Sequence, residues 1–439
     1  MTRARQPRRG RRSAAAAVLA TVLALTGPPG AQAAEVQPRH GPAEALPVGG
    51  HEIRTAVSAH TPTGEKTRVA VFEVDLTADK PGQAAEQIKD PSSPLGRKAR
   101  SAAGVIEASK ADVVVITGID VGDRGAREAF EALLPASLSH TFEGALAASA
   151  GRHGGSGSST DSGSGAEARA FPGQRGMMVA SRLPIDERRV RTFANFRWKD
   201  LPSPHLPDDP STEAAADHYT EAELARMPLA STAVWDIPVL REGKPLHVVA
   251  TSLDGLGGLE DAAGSASSHA SDPADASPEE LRHRDQLAFL RDLVTPARGS
   301  YVYDDAGGRG GLRQGEPFVV AAGLGADPGD SGAASSPVSA FLKERSLQDP
   351  EPGSEGAVEA SDVQGGANAS HATDSRLDTF DGDDARGGNL RLDYVLPSSQ
   401  TPVTGAGVFW PEIGQKDSDL VGSRPGGSTR HRLVWADVE

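Results

Sequence analysis

The chain has 439 residues, with 60 acidic side chains against 45 Lys and Arg and no cysteine. An acid excess of this size repels polyphosphate backbones, and no basic run outside the first dozen residues offsets it, so nucleic acid is not an expected partner. Without disulfides, stability has to come from a buried core, which a chain of about 400 residues is long enough to build as one large decorated domain.

The first 34 residues read as a signal peptide. Arg3, Arg5, Arg8, Arg9, Arg11 and Arg12 precede an apolar run from Ala14 to Leu25, a Pro/Gly break and the small-residue stretch Ala31-Gln32-Ala33-Ala34. That order is the secretory pattern, and the run is too short for a membrane span. Arg11-Arg12 before Ser13 is compatible with a twin-arginine route as well as the general one. Removal of the leader takes six arginines and no acid, moving the formal charge from −15 to about −21. A secreted, soluble monomer without a membrane span is therefore the expectation.

Residues 35–66 are rich in Pro, His and Gly without periodicity and read as a flexible N-terminal extension to a domain over 67–439. Arg68–Leu76 alternates with β-branched residues and predicts a strand. After Pro91 and Pro94, the spacing of Leu95, Ala99, Ala102 and Ile106 predicts a helix. The nearly continuous apolar run Asp112–Ile119 is a buried strand. A Gly/Ser tract within 149–168 reads as a flexible insertion. Gly176–Ile185 resumes strand structure. Residues 233–240 and 245–253, joined by Arg241-Glu242-Gly243-Lys244, predict a β-hairpin. A second soft tract at 255–277 leads into a helix over 279–294, with Leu287, Leu290 and Val294 on one stripe. Residues 317–328, 390–397 and 431–438 supply three further strands. The pattern is that of one α/β domain without internal repeats.

Six of these segments carry a resemblance. GMMVASRLPI (176–185), GGNLRLDYVLPS (387–398) and the closing Thr429–Trp435 resemble, in order, conserved blocks of the endonuclease/exonuclease/phosphatase family. FRWKDLPSPHLPDDP (196–210), YVYDDAGGRGGL (301–312) and VFWPE (408–412) are similar to a secreted bacterial branch of it. The resemblance implies a four-layer α/β/β/α sandwich of two mostly antiparallel sheets flanked by helices. It also implies a Mg²⁺ and phosphate site at one sheet edge, built from hard oxygen ligands and donors for developing charge.

At that implied site the chain departs from the family pattern. Glu73 follows Phe72 where the family has Asn, and Gly118 takes the place of a metal-binding Glu two residues before Asp120. Ser252 replaces a phosphate-contacting His, Gly323 and Gly325 replace the Asp and Asn of an Asp-x-Asn pair, and Arg430 replaces the Asp before the terminal His. Asp393 and His431 match the pattern. They have two readings, a residual catalytic pair or a polar pair kept for packing. With its hard ligands gone, the site implies a pseudoenzyme that binds an unidentified ligand or protein partner and carries no cofactor. The alternative is a divergent phosphoesterase that rebuilds a Mg²⁺ or other divalent-cation site from Glu73 and Asp120, with Asp327 as a further candidate. Asp381-Gly382-Asp383-Asp384 with Asn389 loosely resembles a calcium loop but lacks its spacing, and reads as a solvated acidic turn.

Overall fold

The computed structural model describes residues 66–122, 124–147, 171–253, 276–329, 337–422 and 429–439. The chain divides into two units, Met1–His60 and Thr61–Glu439, and every described residue lies in the second. The leader (1–34), nearly all of the extension (35–66) and the soft tracts at 149–168 and 255–277, apart from the last residues before the helix, lie outside the described residues.

The opening alternation forms β1 (Thr67–Leu76), followed by α1 (Gln83–Lys89), α2 (Pro94–Ser109) and β2 (Val113–Ile119). α2 starts where Ser93 accepts the Gly96 amide and Pro94 fills the first turn, and it stops at Lys110 in the left-handed conformation. α3 (Arg127–Glu131), β3 (His140–Phe142), β4 (Gly176–Ser181), β5 (Arg191–Thr192) and α4 (Glu221–Leu224) follow. The predicted hairpin is β6 (Val234–Arg241) and β7 (Lys244–Ser252), closed by Glu242-Gly243 with both φ angles positive, which matches the twist of the strands. α5 (Pro278–Val294) opens with a reciprocal Ser277–Glu280 cap. Then come β8 (Phe318–Gly323), α6 (Pro337–Leu342), α7 (Glu355–Gln364), β9 (Asp393–Pro397), β10 (Val403–Val408) and β11 (Val434–Val438).

The strands form two sheets, ordered β10-β11-β1-β2-β4-β3 and β5-β6-β7-β8-β9. Each is mixed: β1/β2 and β7/β8 run parallel, and every other pair is antiparallel. Strand alternation explains the layering. Val319 and Ala321 of β8 join the core shared with the first sheet, while Val320 and Ala322 join the core under α5 and α6. On the first sheet, Ala99, Ala102, Val105 and Ile106 of α2 supply the outer cover. The result is the expected α/β/β/α sandwich. Among the described residues, no helix is long and apolar enough to cross a membrane.

Three predicted strands are shorter than expected at the same end of the molecule. β8 stops at Gly323, β9 begins only at Asp393 and β11 only at Val434. There the chain leaves regular ladder pairing: Leu324 and Gly325 both donate their amides to Leu392 O, and Phe380 bridges Leu390 and His431. β10 was not predicted from the sequence because Gly405 and Gly407 weaken its strand signal. The Trp435 ring lies over this strand, and a Cβ at 407 would come within 2.9 Å of it.

Candidate functional site

Where the strands end, β1 packs against β8 and β9 of the other sheet. Register aligns Ser252 with Gly323 and Gly323 with Asp393 across β7, β8 and β9. Glu73 pairs with Thr117 at the ends of β1 and β2. His431 joins this group from the stretch before β11.

The Asp393–His431 pair is built tightly. Asp393 Oδ2 lies 2.8 Å from His431 Nδ1 and accepts the Thr379 hydroxyl at 3.0 Å, and the Phe380 ring packs edge-on against the imidazole. Both residues are buried, and among the described residues Asp393 Oδ1 has no hydrogen-bond partner. That oxygen faces the space beside Gly323, where a Cβ would stand 3.5 Å from it and 3.7 Å from Ser252 Oγ. Position 323 thus has room for a Cβ.

Burial by itself pulls the His431 pKa down, but the charges of Asp393 and then Glu73 override it and push the value up to about 8. The folded value lies above the ordinary 6.5. The pair therefore contributes stability that is complete below that ordinary value and lost as pH rises through the folded one, about 2 kcal/mol in all. Denaturation midpoints measured from about pH 6 to 9 should show this loss, and His431→Gln should remove it from the profile.

Glu73 and Gly118 are spatially coupled. Gly118 adopts a φ of +67°, and a Cβ built on it would fall 2.7 Å from Glu73 Oε1. The Glu73 carboxylate, 6 % exposed, fills the volume a side chain at 118 would need. Arg175 Nη2 approaches Glu73 Oε1 at 3.4 Å, and Thr117 Oγ1 lies 3.4 Å from Oε2.

Asp120 stands beside this group, but both its oxygens are engaged. Oδ2 accepts the Ala78 amide at 3.0 Å and Oδ1 the Arg175 amide at 3.1 Å. Burial pushes its pKa up to about 6, against the pull of those two amides and of the Arg175 charge. Asp327 likewise serves the backbone, accepting amides from Gly329 and Arg391. Gly325, at φ +65°, donates its amide to Leu392 O. Arg430 turns its guanidinium toward the carbonyl of Asp381 at 3.0 Å and Asp383 Oδ2 at 3.4 Å. Arg432 ties Asp381 Oδ2 at 2.6 Å, so the acidic turn is cross-linked by arginines instead of being simply solvated. Sequence reasoning missed Arg175 and Thr379. Arg175 directly precedes the Gly176 block, but nothing local marks its partner 102 positions away.

Two mixed sheets face to face, with helices outside each and a polar cluster at their strand ends, define a four-layer α/β sandwich protein. The chain belongs to the Endonuclease/Exonuclease/phosphatase family, whose sequence model matches residues 87–419. Among solved structures it is similar to an endonuclease/exonuclease/phosphatase from Beutenbergia cavernae DSM 12333, at 18% identity and TM-score 0.44, covering 85% of this chain and 71% of that one. It is also similar to sphingomyelinase C from Streptomyces griseocarneus, at 14% identity and TM-score 0.42, covering 85% and 100%. A third is the mannosyl-6-phosphatase Bt3783 of Bacteroides thetaiotaomicron, at 10% identity and TM-score 0.41, covering 85% and 99%. No curated protein matches the sequence.

The family typically depends on a divalent cation, and the donor set here does not fit one. Among the described residues, no group of three or more His, Asp or Glu could hold a metal ion. Mg²⁺ keeps several of its waters and is held by one or two carboxylates, which have to be free to meet it. Glu73 faces Arg175, and Asp120 spends both oxygens on amides.

Proposed function

We propose that this protein is a non-hydrolytic member of its family, an exported pseudoenzyme whose cleft binds a ligand or partner without turning it over. The observation that carries this reading is the coupled pair at the ends of β1 and β2: Glu73 fills the space a side chain at 118 would occupy and is met by a guanidinium. Gly118, Ser252, Gly323, Gly325 and Arg430 stand where the family resemblance implies metal or phosphate contacts. Losing one positioned transition-state donor typically costs about 2.7–4 kcal/mol, and these groups act as a unit. Rebuilding a cation site from Glu73 and Asp120 has the engagement of Asp120 against it. The basic and then apolar leader supports export.

The test is hydrolysis of bis-(p-nitrophenyl) phosphate with Mg²⁺, Mn²⁺ or Ca²⁺, by the unaltered protein and by a restored variant. Restoration has to include Glu73→Asn together with Gly118→Glu, because the two side chains contend for one volume. Ser252→His, Gly323→Asp, Gly325→Asn and Arg430→Asp complete it. The unaltered protein is expected to show no metal-dependent turnover, and the restored variant to gain it. Turnover by the unaltered protein that vanishes in Glu73→Ala would sink the reading.

A further inference from the structure

Arg175 is held in a conformation that a free loop would not choose. Its φ is +51°, in the left-handed region, which a non-glycine residue occupies at a cost and keeps only when its surroundings impose the geometry. Here they do. Asp120 Oδ1 accepts the Arg175 amide, Asp120 Oδ2 accepts the Ala78 amide, and the Gln174 side chain donates to Ala78 O at 2.8 Å. This lattice aims the guanidinium at Glu73, whose side chain is 8 % exposed while that of Arg175 is 35 % exposed. The same positive charge acts on Asp120. One guanidinium thus serves the two carboxylates from which a divalent-cation site would have to be rebuilt.

Glu73 needs such a charge. A buried carboxylate without a cation or enough donors is expensive, and removing one partner of a buried pair leaves the other uncompensated. Among the described residues its other hydrogen-bond contact is the long one to Thr117 Oγ1, and the His431 charge acts on it from further away. We propose that Arg175 is the resident cation of this cleft: tethered to the chain, its guanidinium supplies the charge that Glu73 requires, so the site keeps its shape without a divalent ion. A guanidinium is always protonated and does not exchange, which makes the compensation permanent. The proposal shares Glu73 with the non-hydrolytic reading, but its test reads stability and cation binding and not turnover, so either can fail alone.

The experiment uses the full-length protein and its Arg175→Gln, Arg175→Lys, Glu73→Gln and Glu73→Gln/Arg175→Gln variants. Thermal midpoints are recorded in EDTA and across MgCl₂, MnCl₂ and CaCl₂ titrations, with Mn²⁺ affinity measured by electron paramagnetic resonance. Cation screening of an acidic chain moves all the variants alike, so the differences between them carry the result. Arg175→Gln should melt lower in EDTA, recover as cation is added, and bind Mn²⁺ about tenfold or more tightly than the unaltered protein. Arg175→Lys should stay cation-independent, and the double variant should lose the cation response. If Arg175→Gln does not fold in EDTA but folds with cation, the proposal stands. A failure to fold in both, reversed in the double variant, also supports it, whereas failure of the double variant too would assign Arg175 a role other than charge and overturn it. An Arg175→Gln protein indifferent to cations, or an unaltered protein stabilised by them as strongly as that variant, overturns it as well.

Discussion

Gly118→Glu, made alone, is expected to destabilise the fold at a cost on the order of 3 kcal/mol. Three effects add. The backbone at 118 has φ +67°, a region that costs a side-chain-bearing residue about 1–2 kcal/mol. The new Cβ would lie 2.7 Å from Glu73 Oε1, so the neighbour has to leave the volume it fills. The incoming carboxylate would also face a buried carboxylate of like charge, which forces one of the two to take up a proton. Chemical denaturation should show a large drop in midpoint. Adding Glu73→Asn removes the clash and the repulsion and leaves the backbone term, so the double variant should recover more than half of the loss. Equal stability of the single and double variants would show that 73 and 118 do not contend for one volume.

Asp120→Ala is expected to cost about 2–4 kcal/mol, since it strips the hydrogen-bond acceptor from two backbone amides in a buried setting. Those amides belong to Ala78 and Arg175, which lie on loops far apart in sequence. With the acceptor gone, Arg175 has less reason to stay at positive φ, and its guanidinium should lose its aim at Glu73. A denaturation series combined with Arg175→Gln checks the coupling: the two substitutions should be less than additive, because each disables the same arrangement. There is also a pH signature. Burial raises the folded pKa of Asp120 from 3.8 to about 6, so this carboxyl binds its proton more tightly in the folded state. Its contribution to stability therefore grows as pH falls through that interval, and the alanine variant's deficit should be larger near its lower end than at neutral pH.

The sheets were legible because their cause is local. Alternation in Arg68–Leu76 and the apolar run before Ile119 each dictate a strand, and the short turn at Glu242-Gly243 dictates antiparallel return. β10 was not legible, since Gly405 and Gly407 suit the Trp435 ring packed over them and not any local strand preference. The apolar runs at 317–328, 390–397 and 431–438 extend beyond β8, β9 and β11 because Leu324, Leu390 and Leu392 are buried there by contacts other than ladder pairing, the Phe380 bridge to Leu390 among them.

At the site, the sequence by itself determined which residue types stand at the ends of the strands: Glu73, Gly118, Ser252, Gly323, Gly325 and Arg430, beside Asp393 and His431. Only the tertiary structure decided how they relate. It set the Glu73 carboxylate in the space at 118, spent Asp120 on two amides, turned Arg430 away toward Asp383, and brought Arg175 to Glu73 across 102 positions. The physical reason is range. Strand propensity acts over a few residues, whereas charge compensation and the contest for volume act wherever folding happens to bring two side chains together.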